Sequence, residues 1–500
     1  MTGGYPVRAG DGDRAVGLEP IRHRRMSIRR GKQLQSVATT ASTRWNLSRN
    51  HRALCMKTNT FTRRSLLGAA LLSAAGLTMR RAVADVAGSE HVPAARERMY
   101  AAALAMVRTH IRGGDAEPYF RKPFVDAAFS RSIYLWDTCF MAVYSKYHQD
   151  ELPIAQSLDN FYELQQADGF ICREYTESGD AFWPEDHPVS SNPPLLAFAE
   201  LELQSERPNL TRLRRVYPSL RAHYRYMVAT YQMRDGLFFN DAFGSGMDNI
   251  PRYPPGWVDD GAGIPLRNRH PELFSYDGLS PKWNRQGRMV DISSQMALFA
   301  EQLAVIAHRV GAFDDARKYA ADRAALVDAI NRHCWHEEDG CYYDLAYGEP
   351  IRRRHIGMFW ALWAGVAPPA RQARLVRRLT DPLQFWRTIP VASTPADDPH
   401  FSPSGAYWLG SVWAPTNYMV IRGLQRTGRG ALAARLARQY YERIEAVYAA
   451  TGTFWENYAP DAVTPGSPSR ADFCGWTAIA PIALYREFLL PARHRATWRR

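Results

Sequence analysis

The stretch VDISSQMALFAEQLAVIAHRVG, residues 290–311, carries apolar side chains at Ile292, Met296, Phe299, Leu303, Ile306 and Val310. Steps of three and four place all six on one face of a 3.6-residue helix, so the spacing predicts a helix with a buried stripe. The same period recurs at Leu213, Val216, Leu220, Tyr224, Met227 and Tyr231, and again at Leu432, Leu436, Tyr440, Ile444 and Val447, where Gly452 supplies a stop. Weaker versions run near 94–111, 136–148, 153–166, 194–205, 314–333, 355–364, 370–379, 411–425 and 474–488, about a dozen helices in all. Strand signal is scarce, the best being CYYDLAY (341–347) after the turn EEDG. The fold class is therefore all-α. Helices in hairpin order suit six hairpins closed into a ring, an (α/α)6 toroid with long loops over one end. A solenoid of helix pairs obeys the same period, although no repeat of fixed length supports one.

The 500 residues are 46% hydrophobic and 12% aromatic, ample for a large core. A net charge of +13 raises the question of nucleic acid or membrane, and its position answers it. Residues 1–55 hold eleven Lys/Arg against three Asp/Glu, and residues 56–84 hold five against none. Residues 85–500 are neutral, so no nucleic-acid partner is expected. In the basic head, Lys57 and the pair Arg63-Arg64 precede an uncharged run from Ser65 to Thr78, too short to span a bilayer of about 30 Å. Ala82-Val83-Ala84 follows as a small-x-small cleavage pattern. These features resemble a twin-arginine export signal over 56–84, which implies the export machinery as a partner and a periplasmic or secreted mature chain. Residues 1–55 have no hydrophobic period and read as an unstructured or mis-assigned extension. Residues 85–500, with no polar linker, read as one domain with no membrane span.

Five cysteines follow residue 84: Cys139, Cys172, Cys334, Cys341 and Cys474. That scattered odd number is not a disulfide framework, though a Cys334–Cys341 bridge across a turn is open to an oxidising compartment. No CxxC pair and no HExxH segment occur, so neither a metal site nor a cofactor is expected.

Between the helices lie long Pro/Gly/Trp-rich connections at 168–193, 235–290, 381–410 and 451–473. Loops of such length in a packed domain are usually functional, and their aromatic content argues against disorder. YLWDTCF (134–140) sets Trp136 beside Asp137, and QADGFICREY (166–175) brings Arg173 and Glu174. FWPEDHPVSSN (182–192) holds Trp183, His187 and Asn192, while GAYWLGSVWAPTNY (405–418) holds Tyr407, Trp408, Trp413 and Asn417. GTFWENYAPD (452–461) holds Trp455, Glu456 and Asn457, with Trp476 further on. A sugar has an apolar C–H face and a rim of hydroxyls, so flat aromatic platforms beside carboxylates, amides and guanidinium groups suit a carbohydrate pocket. Each residue also has a plainer role: a tryptophan packs cores, Asp137 fits a helix N-cap, and Asp168-Gly169 fits a turn. The co-occurrence carries the reading.

YLWDTCF, GFICREY, SNPPLLAFAE, SGMDNIPR (245–252), VDISSQMALFAEQLAVIA, GAYWLGSVWAPTNYMVIRGL and FWENYAPDAVTPG (454–466) stand in an order and spacing that resembles the six-hairpin glycosidases of the trehalase-like group. The resemblance covers nearly all of 120–490 and is nearest the mannosylglycerate hydrolase-like and processing α-glucosidase branch. The PGGRF and QWD signatures of strict trehalases are missing. The resemblance implies the six-hairpin fold and an inverting hydrolysis, with Asp248 as general acid and Glu456 as general base. One carboxyl protonates the leaving oxygen while the other activates water on the opposite ring face. It implies substrate contacts from Trp136, Asp137, Arg252, Trp408, Trp413 and Trp476. Aromatic walls are expected to raise the acid, with polar neighbours such as Asn457 keeping Glu456 charged. Gly244 and Gly246 are expected to let the acid loop approach the sugar. Relatives commonly read YWRGP where this chain has Tyr407-Trp408-Leu409-Gly410-Ser411, which removes a guanidinium fork.

The expected function is an exported hydrolase that cleaves, with inversion, an α-linked small glycoside or oligosaccharide: a glucoside, a mannoside or a trehalose-like compound. Two other classes compete. A non-catalytic carbohydrate binder needs no acid pair at hydrolytic spacing, and a sugar epimerase or lyase on a similar barrel would rely on groups such as His187.

Overall fold

The computed structural model describes residues 94–113, 120, 122–127, 131–183, 190, 191, 193–240, 244–252 and 287–490. The expected extension 1–55, the export segment 56–84, His187 and Asn192 lie outside these residues.

Each helical period has its helix: α1 (Ala94–Thr109), α2 (Leu135–Ser145), α3 (Ile154–Glu163), α4 (Leu196–Glu206), α5 (Leu210–Tyr231), α6 (Val290–Val310), α7 (Phe313–His333), α8 (Trp360–Trp363), α9 (Pro369–Leu379), α10 (Ala414–Arg426), α11 (Gly430–Thr451) and α12 (Ala480–Leu489). The region expected as a helix at 355–364 is a 3-10 turn, Ile356–Phe359, running into the single turn of α8. The last helix is wound as a π-helix behind the 3-10 turn Thr477–Ile479.

Burial sorts the helices into two kinds. In α6 every residue from Val290 to Ala300 is buried, and in α2 all eleven are. The stripe read from 290–311 thus underestimates the burial: polar Ser293, Ser294 and Gln295 are enclosed as well. A helix buried all round has neighbours all round. By contrast α7 buries only Tyr319, Leu326, Ala329 and Ile330 along its length. Among the enclosed helices, α2 packs on α4, α4 on α6, α6 on α8 and α8 on α10. The turn Thr477–Ile479 touches both α10 and α2. The more exposed helices lie against these: α3 on α2, α5 and α7 on α6, α11 on α10 and α12, and α1 on α12. Among the described residues no helix is long and apolar enough to cross a membrane.

The strands are two residues long. Ile133–Tyr134 pairs antiparallel with Glu174–Tyr175, setting Tyr134 opposite Glu174. CYYDLAY is two strands rather than one: Cys341–Tyr342 pairs with Trp335–His336, and Leu345–Ala346 lies between Gly287–Arg288 and Glu349–Pro350. That register faces Cys341 with His336, while the Cys334 carbonyl accepts from the Tyr343 N–H at 2.8 Å. Cys334 and Cys341 are therefore not bridged; both are free and buried.

Candidate active site

The loops that join the enclosed helices surround a cavity of about 310 Å³. Its first wall comes from the N-terminus of α2. Tyr134 is the N-cap, so Asp137 stands in the first helical turn and is not the cap. Trp136 and Asp137 both face the cavity. Trp136 Nε1 and Asp137 Oδ1 are buried without a hydrogen-bond partner, a costly state for polar atoms unless a ligand meets them. Burial pushes the Asp137 carboxyl well above its ordinary range, and the charge of Glu456 adds to the rise.

The short strand pair supplies the second wall. Arg173, Glu174 and Trp183 line it, and the Leu135 N–H donates to the Arg173 carbonyl at 2.7 Å, locking this loop to the start of α2. Trp183 Nε1 donates to Glu174 Oε2 at 3.1 Å. Burial raises the Glu174 carboxyl, and Arg173 and Trp183 pull against it.

Asp248 enters on the loop 244–252. Met247, Ile250 and Arg252 are buried on either side of it, whereas Asp248 itself faces the cavity. Gly246 has φ +74°, and a Cβ there would lie 2.1 Å from the Trp136 ring. Only glycine allows this loop to cross the indole so closely. The surface that Gly246 approaches is the Trp136 ring rather than the expected sugar.

Loop 402–411 brings Tyr407 and Trp408. Trp408 lies on the cavity with Trp413 stacked behind it, ring centroids 4.0 Å apart at 5°. Trp476 closes that side and meets Trp413 edge-on at 5.8 Å. Glu456 lies immediately behind this wall, 3% exposed. Tyr407 donates its hydroxyl to Glu456 Oε1 at 3.3 Å, and Trp476 Nε1 donates to the Glu456 carbonyl at 2.9 Å. Burial pushes the Glu456 carboxyl up to about 7; Arg470 and the Tyr407 hydrogen bond pull it down, and the charge of Asp248 pushes it further up. Asp248 thus lines the cavity, while Glu456, 208 positions further along the chain, lies behind the lining and touches it through Tyr407, Trp476 and Arg470.

Five expected contacts are placed elsewhere. Arg252 is 1% exposed and turned inward, bonding Asp291 with Nη1 and Nη2 at 2.8 and 2.7 Å and Asp344 with Nε and Nη2 at 2.8 and 3.2 Å. It anchors the Asp248 loop and does not reach the cavity. Trp413 is fully buried, a backing for Trp408. Asn417 accepts from the Val391 N–H and donates to the Trp413 carbonyl, holding loop to helix. Trp455 donates to Thr451 Oγ1 away from the cavity. Asn457 donates to the Pro468 carbonyl, so it is Tyr407 and Arg470, not Asn457, that favour the charged form of Glu456.

Two lining residues escaped the sequence reading. Tyr134 lies just outside the Trp-Asp pair that drew attention. Arg470 arrives because the 455–471 segment folds back on itself: Trp455 bridges Ala471, and the Glu456 N–H donates to the Arg470 carbonyl at 2.9 Å. Its only signal was the Pro/Gly-rich turn between them.

Comparison with known proteins completes the picture. Residues 131–477 match the model of the mannosylglycerate hydrolase MGH1-like glycoside hydrolase domain. The chain belongs to that family. The residues around the cavity fall within the matched span. The Thermus thermophilus mannosylglycerate hydrolase is 25% identical over 61% of this chain and 84% of its own length. A probable mannosyl-oligosaccharide glucosidase of Schizosaccharomyces pombe is 28% identical over 38% of this chain. The chain spans less than two thirds of the length of several curated relatives that it matches, and 25% of that yeast protein. In fold it is similar to a GH63 mannosylglycerate hydrolase from Thermus thermophilus solved in complex with glucose. There the TM-score is 0.61 at 21% identity, over 77% of this chain and 99% of the other.

Proposed function

We propose that this protein is a glycoside hydrolase that cleaves a small α-linked glycoside with inversion at the anomeric carbon, and that its enclosed helices close as six hairpins beneath the site. Asp248, protonated, gives its proton to the glycosidic oxygen as the C–O bond breaks. Glu456, ionised, takes a proton from the water that attacks the opposite ring face. The single observation that carries this is geometric: Asp248 faces a tryptophan-walled cavity, and two residues of that wall, Tyr407 and Trp476, hydrogen-bond Glu456 directly behind it. Two carboxyls that interact share protons as a pair, and the working state holds one proton between them. Trp408 and Trp476 offer the stacking faces, and Trp136 and Asp137 line the same cavity with Nε1 and Oδ1 lacking hydrogen-bond partners.

A cavity of about 310 Å³ is at the small end of ligand sites, which run from about 300 to 1,000 Å³, and this favours a short glycoside over a long chain. Arg173 and Arg470 both line the cavity. Guanidinium groups bind carboxylates as well as hydroxyls. An anionic glycoside such as mannosylglycerate therefore belongs in the substrate set beside neutral α-glucosides and trehalose. The paired arginines at 63 and 64 support export through the twin-arginine route to the periplasm or beyond, which fractionation of cells expressing the chain from Met1 and from Met56 would test.

The deciding experiment measures hydrolysis of α-linked disaccharides and glycosylglycerates by the purified protein and by Asp248→Asn and Glu456→Gln. Loss of activity in both, with the folded state retained as read by circular dichroism, supports the assignment; activity retained in either removes it.

A further inference from the structure

We propose that Asn249 is a positioning residue that ties the loop of the acid to the partner of the base, and thereby sets the protonation of Glu456. The inference rests on the acid and base roles given to Asp248 and Glu456. Asn249 follows Asp248 directly and is itself exposed, so it fills no core space. Its amide spans the neighbouring loop with both ends: Nδ2 donates to the Ala406 carbonyl at 3.0 Å, and Oδ1 accepts from the Trp408 N–H at 2.8 Å.

Those two backbone groups flank Tyr407, the residue whose hydroxyl donates to Glu456 at 3.3 Å. Ala406 and Tyr407 have φ of 38° and 64°, a left-handed region that residues with a Cβ adopt at a cost. Such backbone persists where its surroundings hold it. An amide is the side chain suited to this task, since one end must donate and the other accept. The connection therefore runs from Asp248 through the adjacent Asn249 to the backbone around Tyr407, and from the Tyr407 hydroxyl to Glu456. Cutting it at Asn249 frees Tyr407 to leave its strained conformation and withdraws the hydrogen bond that favours ionised Glu456.

The test compares the pH dependence of kcat/KM for the wild-type protein, Asn249→Ala, Tyr407→Phe and the double variant. A hydrogen bond worth about 0.5 to 1.5 kcal/mol corresponds to about half to one pH unit. The acidic limb is expected to move upward by about that much in Asn249→Ala and in Tyr407→Phe. Below the limb this lowers kcat/KM by about three- to tenfold. The double variant is expected to move no further than Tyr407→Phe, because both changes remove one interaction. An unmoved limb in Asn249→Ala, or shifts that add in the double variant, overturns the proposal. If Asn249→Ala is too unstable to profile, Asn249→Ser takes its place: its single short hydroxyl cannot span both the Ala406 carbonyl and the Trp408 N–H, so an unmoved limb there overturns the proposal and an upward shift supports it. Asp248→Asn and Glu456→Gln in the same assay keep the two questions apart: activity in either removes the acid–base assignment, whereas inactivity in both leaves the Asn249 profiles to decide this proposal alone.

Discussion

Replacing Glu456 with glutamine should make the protein more stable at alkaline pH while abolishing its activity. Glu456 is 3% exposed, behind Tyr407 and Trp476, and burial holds its proton to about pH 7 in the folded chain. In the unfolded chain a glutamate gives up that proton near its ordinary value of 4.5. Between those values the folded protein binds more protons than the unfolded one, so stability falls as pH rises from 4.5 to about 7 and then levels. The gap, at about 1.4 kcal/mol per pH unit, comes to about 3 kcal/mol. Glutamine is isosteric and does not titrate, so it lacks this loss. Urea unfolding of both proteins at pH 4 and pH 8 gives the comparison. The stability of Glu456→Gln minus that of wild type should be about 3 kcal/mol more favourable at the higher pH. A difference that stays constant within about 0.5 kcal/mol would refute the reasoning, since measurement error is of that order and Glu456 would then titrate like a solvated carboxylate.

The remaining predictions concern the same loops. The acidic limb of kcat/KM should lie near pH 7, because the base works only when ionised and Glu456 holds its proton to about 7; a limb near 4.5, its ordinary value, would contradict the burial argument. Gly246→Ala places a Cβ 2.1 Å from the Trp136 ring at φ +74°, so the acid loop must shift. A displacement of about 1 Å costs on the order of 100-fold in rate, and kinetics equal to wild type would contradict the close approach. Arg252→Met leaves Asp291 and Asp344 buried without their guanidinium partner, and unfolding in urea should report a loss of about 3 to 5 kcal/mol. A loss below about 1 kcal/mol, the range of exposed pairs, would contradict the buried anchor.

The helices were readable because burial imposes a period of 3.6 on the residues that meet the core, as at Ile292, Met296 and Phe299. Their winding was less so. Nothing in the apolar pattern distinguishes α12 as a π-helix from an ordinary one. The depth of α6 was hidden as well, since Ser293, Ser294 and Gln295 look like a solvated face until neighbouring helices enclose them.

Within the site the residue types were legible and their directions were not. Trp408 and Trp413 stand five positions apart and stack, yet Trp408 lines the cavity and Trp413 backs it, a choice made by loop geometry with no period. Arg252 was expected at the sugar from the resemblance alone. Its partners, Asp291 and Asp344, lie 39 and 92 positions away and carry no local signal. Arg470 was invisible for the same reason, delivered by a chain reversal through a run of Pro, Gly and Ser.

The stereochemistry of hydrolysis tests the central claim most directly. Proton NMR of an α-linked substrate, recorded before mutarotation, is predicted to reveal the β-anomer as the first product, since water assisted by Glu456 attacks opposite the bond that Asp248 protonates. First appearance of the α-anomer would mean a covalent intermediate on one carboxylate and would contradict the division of labour between these two acids.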